Sequence, residues 1–234
     1  MRTDLAAVIP AFRCAGTIGA VVEEARRHVP AVYVVDDGSG DATAEEARRA
    51  GARVESLHAN RGKGYALRRG IVLALAARPA AVAFLDGDGQ HDPRALPALV
   101  RAWEEGKGNL VIGARLMDSD RIPGPRYWTN YIGSRILSWM AGVELADSQS
   151  GYRLLDAELL RRLPLRSDGY AIESEMLLKA VKRGARIAHV PVEAIYNGAG
   201  SHFRPIRDTF RIACEAIYFQ VFDDGGAPPP ERRR

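Results

Sequence analysis

Short apolar runs alternate with amphipathic stretches through the first half of the chain, and this alternation restricts the fold more than any other feature. Residues 5–9, 31–35, 53–57, 81–85 and 110–112 have strand length and mostly apolar or β-prone composition. The segments between them read as helices. Ile18, Val21, Val22 and Ala25 recur at helical spacing, and a short helix starts at Asp41 or Thr43 and runs through Arg49. Residues 64–76 supply Ala66, Gly70, Ile71 and Ala74 for close packing, and residues 93–105 form a fourth helix, capped by Asp92 or its neighbours and opened by Pro93. Strand and helix repeated in this order predict an α/β fold, a mostly parallel central sheet with helices on both faces.

After Gly113 the rhythm breaks. Residues 118–125 form a polar loop, 127–140 a helix rich in Trp, Tyr, Ile and Leu, and 150–155 another strand. Residues 172–182 are helical, 186–190 and 192–196 are short extended runs, and 205–222 form a last helix. With no internal repeat and no clear linker, the simplest division is one domain over 1–222. Its nucleotide-binding half is 1–113, its acceptor-side half is 114–222, and a disordered tail covers 223–234.

In a parallel sheet ligands bind beyond the carboxyl ends of the strands, and the polar clusters of this chain fall there. The most informative is Asp86-Gly87-Asp88-Gly89-Gln90, which follows the apolar run 81–85. Carboxylates at the end of a buried strand are costly unless their charge is compensated. A divalent cation carrying a diphosphate would do so, because Mg²⁺ and Mn²⁺ take oxygen ligands and Mg²⁺ uses only one or two protein carboxylates. Helix capping explains Asp92-Pro93 but leaves Asp86 and Asp88 without a reason.

Asp36-Asp37-Gly38-Ser39 repeats the pattern after another strand. At least one of its carboxylates is expected on a ribose or a base N–H, whereas Ser39 suits an Asx-type turn. Asn60-Arg61-Gly62-Lys63-Gly64 precedes a helix, as a phosphate-binding turn or a basic flexible one would. Arg115, Arg126, His202, Arg204 and Arg207 supply cations to the second half, where guanidinium forks suit a second anionic substrate. Asp147 precedes the turn Ser150-Gly151-Tyr152-Arg153 and could act as a general base or as an electrostatic orienter. Glu173 and Glu175 open a helix, where charge at a positive helix end and a site role are equally good explanations.

Composition excludes little. With 47% hydrophobic and 26% charged residues the chain is globular, and no apolar run approaches a membrane span. Two distant cysteines, Cys14 and Cys214, suit reduced thiols in the cytoplasm and lack metal-ligand spacing. The net charge of +4 and pI of about 9.2 are compatible with nucleotide, lipid headgroup or nucleic acid. The absence of a long basic face with interleaved aromatics argues against nucleic acid as a partner.

Taken in order, these pieces resemble the family 2 glycosyltransferases of the GT-A fold, and within them the dolichyl- or polyprenyl-phosphate sugar synthases. The matching elements are Val8-Ile9-Pro10-Ala11-Phe12, the run from Val34 to Thr43, Asn60 to Gly64, Asp86 to Gln90, Gly113-Ala114-Arg115, Ser150 to Arg153 and Ser201-His202-Phe203. The resemblance implies a nucleotide-diphosphate sugar donor, GDP- or UDP-hexose, lined by Pro10, Phe12, Asp36, Asp37 and Lys63. It implies Mg²⁺ or Mn²⁺ held by Asp86, Asp88 and Gln90, and inverting transfer to a polyprenyl phosphate. Arg115, Arg126, Asn130 and His202 match the acceptor-phosphate side, and Asp147, Asp88 and Arg115 the catalytic set. Many relatives carry membrane helices after this domain. This chain would instead meet a lipid at the inner membrane face through helix 127–140 or 205–222. Where the mannosyl-transferring relatives end in Gly-x-Ser-Lys, this chain has Tyr196-Asn197-Gly198-Ala199-Gly200-Ser201-His202.

Alternative readings keep the donor site with a soluble small-molecule or glycan acceptor, which would make Asp147 or a neighbour a true base. A nucleotidyltransferase would place a Gly-rich, Arg-Lys loop after the first strand, where this chain has Pro10-Ala11-Phe12-Arg13-Cys14. A nucleic-acid-binding module would show steeply salt-dependent binding. A non-catalytic nucleotide-sugar sensor would not need Asp86, Asp88 and Gln90 together.

Overall fold

A computed structural model describes residues 4–115, 124–193 and 195, with side chains described for all of these except 124–132. Seven strands form one sheet: β1 (Leu5–Ala11), β2 (Ala31–Asp36), β3 (Arg53–Ser56), β4 (Ala81–Phe84), β5 (Leu110–Arg115), β6 (Arg153–Asp156) and β7 (Ile187–Val192). Their spatial order is β3-β2-β1-β4-β6-β5-β7. All run in one direction except β6, which is antiparallel to both β4 and β5. The mostly parallel α/β sheet read from the alternating pattern is the one observed.

Among the described residues seven helices flank it: α1 (Ala15–Arg26), α2 (Thr43–Arg49), α3 (Lys63–Ala76), α4 (Leu96–Glu104), α5 (Gly124–Ala141), α6 (Ala157–Arg161) and α7 (Ile172–Lys182). Alternate residues of β1 divide the core. Leu5, Ala7, Ile9 and Ala11 face a layer containing Ile18, Val22, Ala47, Leu96 and Leu99 from α1, α2 and α4. Ala6 and Val8 face Leu67, Ile71, Leu159, Ile172 and Met176 from α3, α6 and α7. Each fully buried aliphatic side chain contributes about 2 kcal/mol. Every residue of β1 is buried, which a strand covered on both faces requires. Pro10 breaks no ladder. Val8 O accepts from Leu85 N, so Pro10, of the same parity, turns its missing N–H toward the β4 side, past the last β1–β4 pair at Phe84.

Several boundaries differ from the sequence reading. The segment after Asp92 is a 3₁₀ turn, Pro93–Ala95, followed by α4, because Pro97 near the start of α4 limits the N–H groups available there. Asp92 caps this turn by accepting from Arg94 N at 3.0 Å. The expected strand at 150–155 begins only at Arg153, since Ser150 and Gly151 are spent on the preceding turn. The extended run at 186–190 is β7, which pairs parallel with β5 as far as Val192, while part of the run at 192–196 lies outside the described residues. Helix 127–140 lies within α5, whereas helix 205–222 and the tail lie outside the described residues. Among the described residues no helix is long and apolar enough to cross a membrane.

Candidate active site

The carboxyl ends of β1, β2, β4 and β5 converge on one edge of the sheet, and the polar motifs meet there. Asp86 follows β4 by two residues. Its Oδ1 lies 2.7 Å from Lys63 Nζ, and the same ammonium lies 2.7 Å from Glu173 Oε1 at the start of α7. Burial is the largest influence and disfavours charge on Asp86, but Lys63 together with His91 and Arg115 holds the carboxyl below its ordinary value. Lys63 shows the mirror image: burial pulls it down, and Asp86 and Glu173 together raise it. His91 stacks on Tyr152 with ring centroids 5.2 Å apart and accepts a hydrogen bond from Asp86 N at Nδ1. Burial lowers the His91 pKa to about 4, so the ring is neutral near pH 7.

Asp88 is half-buried and accepts from Gln90 N at 3.0 Å. Burial and the neighbouring Asp86 charge raise its pKa, so the site gains from any cation placed beside it. Among the described residues no third His, Cys, Asp or Glu completes a protein-only metal cluster. Two carboxylates on a turn, with the rest of the shell left to diphosphate and water, is the donor set expected for Mg²⁺ or Mn²⁺ bound together with its substrate. The residues present fit such an ion. The turn is pinned from below by Thr17 Oγ1, which donates to Gly87 O at 2.7 Å.

The acidic pair at the end of β2 forms the Asx-type turn read from the sequence and a second, longer-range tie. Asp36 accepts from Ser39 N and Ser39 Oγ, closing the Asx-type turn. Asp37 accepts from Arg61 N at 2.7 Å and Gly62 N at 2.8 Å, so its carboxylate holds the 60–62 loop over the sheet edge. Gly62 adopts a φ of 97°, and a side chain there would strike the carbonyl of Asp168. That carbonyl accepts from Gly64 N and Tyr65 N, so the helix end read as a phosphate cradle is occupied by the protein's own backbone. Pro10 is buried, Phe12 is half-buried, and the Arg13 guanidinium lies 5.2 Å from the Phe12 ring.

On the other flank, Arg115 ends β5 and binds Asp147 through two side-chain bonds, Nε to Oδ2 at 2.6 Å and Nη2 to Oδ1 at 2.9 Å. Asp147 is fully buried. Burial alone would raise its pKa, but Arg115 holds it below the ordinary carboxylate range. A carboxylate so committed is a poor proton acceptor. α5 supports this turn through Ser134 Oγ, which accepts from Ser148 N at 3.0 Å. Arg153, read as flanking the turn, is buried beneath it and donates to the carbonyls of Ser148, Ser150 and Glu173. The side chains of Arg126 and Asn130, and all of His202, Arg204 and Arg207, lie outside the described residues.

Two site features were missed or underrated. Glu173 is a direct partner of Lys63, although as one of two acids opening a helix it also suited the helix dipole. The structure buries Ile172 to Ala180 without a break, and within that stretch Glu175 and Lys179, one helical turn apart, pair at 2.7 Å. Gly151, expected to serve only its turn, closes over the Lys63–Asp86 pair: a Cβ there would lie 3.2 Å from both Lys63 Nζ and Asp86 Oδ2.

Comparison with known proteins agrees with this architecture. The sequence profile described as glycosyl transferase family 2 matches residues 6–164. The chain is 34% identical to glycosyltransferase AglJ of Haloferax volcanii, over 85% of this chain and 66% of that protein. It is 29% identical to the undecaprenyl-phosphate mannosyltransferase of Micrococcus luteus, over 82% of this chain and 84% of the relative. The glucosyl-3-phosphoglycerate synthase of Mycobacterium tuberculosis, solved with Mn²⁺, UDP and phosphoglyceric acid, superimposes with a TM-score of 0.72 at 25% identity, covering 96% of this chain and 79% of that one. The fold is the GT-A arrangement, and the chain belongs to glycosyl transferase family 2.

Proposed function

We propose that this glycosyltransferase moves a hexose from a nucleotide-diphosphate sugar to a polyprenyl phosphate at the inner face of the membrane, with inversion and with a divalent cation. The observation that carries the reading is the Asp86–Asp88 pair at the carboxyl end of β4, with Lys63 bound to one member and Asp88 left to take a cation. The acceptor rests on sequence likeness to the undecaprenyl-phosphate mannosyltransferase. The cation is supported by the Mn²⁺ bound in the glucosyl-3-phosphoglycerate synthase.

In this reading Pro10, Phe12, Asp36, Asp37 and Lys63 shape the donor pocket, and Asp86, Asp88 and Gln90 hold the cation. Bound there, the ion would supply charge neutralisation to the departing diphosphate. An acceptor phosphate oxygen forms the new bond to the anomeric carbon, and the bond to the donor diphosphate breaks with its electron pair leaving on the nucleotide. The acceptor is already an anion, so it needs positioning and a cationic partner rather than deprotonation. Arg115, oriented by Asp147, meets that need, with Arg126, Asn130 and His202 assigned to the same side. Mg²⁺ and Mn²⁺ serve equally in this scheme, as do GDP- and UDP-hexoses.

A second reading has its own support. The structural neighbour bound to phosphoglyceric acid favours a small phosphorylated acceptor on the same donor site. The test offers purified protein UDP- and GDP-sugars with Mn²⁺ or Mg²⁺ and follows nucleoside diphosphate release. Release that depends on a short polyprenyl phosphate supports the lipid reading. Release that depends on phosphoglycerate moves the assignment to the soluble acceptor, and release with neither acceptor nor metal overturns both.

A further inference from the structure

Lys63 is held by two carboxylates of unequal standing. Asp86 has a second neighbour in His91, whose Nδ1 lies 3.7 Å from Oδ2. Glu173 Oε1 has Lys63, but Glu173 Oε2 is buried with no hydrogen-bond partner among the described residues. An unsatisfied buried carboxylate oxygen costs free energy, and where one persists it calls for an explanation. Gly151 packs over the ammonium without a side chain, where a Cβ would lie 3.2 Å from Lys63 Nζ. Behind it the apolar side chains of Leu67, Phe84 and Met176 line the space and offer the stranded oxygen no hydrogen-bond donor.

We propose that Lys63 and the divalent cation exchange places on Asp86, and that Glu173 is the positioning residue that receives the displaced ammonium. This rests on the reading of Asp86 and Asp88 as cation ligands. A cation arriving with the diphosphate would bring a second positive charge to the carboxylate that already holds the ammonium at 2.7 Å, and the two would compete for it. Displaced from Asp86, Lys63 needs an acceptor within reach of its stem, and Glu173 presents one oxygen already bound and another still unpaired. The exchange leaves Asp86 and Glu173 each facing a cation after the donor binds. It also gives the enzyme a reason to hold its cation weakly without a nucleotide.

The test is a double-mutant cycle on Mn²⁺ affinity, measured by calorimetry on the full chain, alone and with saturating UDP or GDP. Lys63→Met removes the competitor and should tighten Mn²⁺ binding to the nucleotide-free protein about tenfold. Glu173→Gln removes the receiver and should weaken Mn²⁺ binding in the nucleotide complex about tenfold. In the Lys63→Met background Glu173→Gln should have no further effect, because nothing remains to be received. Additive effects, as simple removal of charge would give, overturn the exchange. Thermal melting keeps the test open if a variant is poorly folded: Mn²⁺ should raise the melting temperature of Lys63→Met more than that of the wild type, and an equal or smaller rise overturns the exchange. If wild-type protein binds Mn²⁺ under neither condition, the underlying cation reading fails and the exchange with it. If Asp88→Ala abolishes binding while the cycle is additive, only the exchange fails.

Discussion

Arg115 and Asp147 grip each other through two parallel N–H···O bonds, with the Asp147 carboxylate fully buried and the Arg115 side chain 22% exposed. The pair therefore presents one face of a fixed guanidinium to the sheet edge. Replacing Asp147 by Asn keeps the shape and removes the charge. Turnover should fall about a hundredfold with little change in donor affinity, as on losing an oriented electrostatic contact. A general base would reveal itself instead by a rate that rises with pH through a single ionisation and loses that limb in Asp147→Asn.

Arg153 ties the 148–150 turn to the start of α7 through three carbonyls, at 2.6 Å to Ser148, 2.8 Å to Ser150 and 2.6 Å to Glu173. Arg153→Met strands all three. The expected loss is about 3 kcal/mol or more, read as a lower urea midpoint with an unchanged slope. A loss under about 0.5 kcal/mol would mean that the turn holds without its clamp.

His91 makes stability depend on pH. Its ordinary pKa of 6.5 falls to about 4 in the folded protein because burial disfavours the charged ring. Between these values the unfolded chain binds the proton and the folded chain does not, so stability falls as pH drops from 6.5 toward 4. The full effect is about 3 kcal/mol. His189, also lowered by burial, acts in the same sense, whereas Asp37 and Asp88, raised by burial, act in the opposite one. The difference between wild type and His91→Gln isolates the one group. Its unfolding free energy should vary less than the wild type's from pH 7 to pH 5, and parallel curves would contradict the assignment.

Gly62 combines a φ of 97° with the approach of the Asp168 carbonyl. Gly62→Ala should cost about 1–3 kcal/mol and loosen the loop that carries Lys63, weakening nucleotide binding in a titration followed by fluorescence. Unchanged binding would separate the loop from the donor site.

The first half of the fold was legible because five apolar runs separated by helical segments leave little choice of topology. The reversed direction of β6 was not, since a strand of four residues, Arg153–Asp156, carries no directional signal and its placement between β4 and β5 is a tertiary matter. The Asp86–Asp88 turn stood out because its acids interrupt an apolar strand. The contact of Glu173 with Lys63 did not stand out, because local sequence shows an acid on a helix and says nothing about which distant ammonium faces it. For Asp36 and Asp37 the Asx turn with Ser39 was legible, whereas the tie of Asp37 to the 61–62 backbone, more than twenty residues away, was not.

The central claim is that Asp88 holds a divalent cation against a nucleoside diphosphate. Calorimetric titration of UDP and GDP into wild type and Asp88→Ala, with and without Mn²⁺, tests it directly. One nucleotide should bind the wild type tightly only with Mn²⁺, and Asp88→Ala should lose the metal-dependent part while melting as the wild type does. Equal metal-dependent affinity in the two proteins would contradict it.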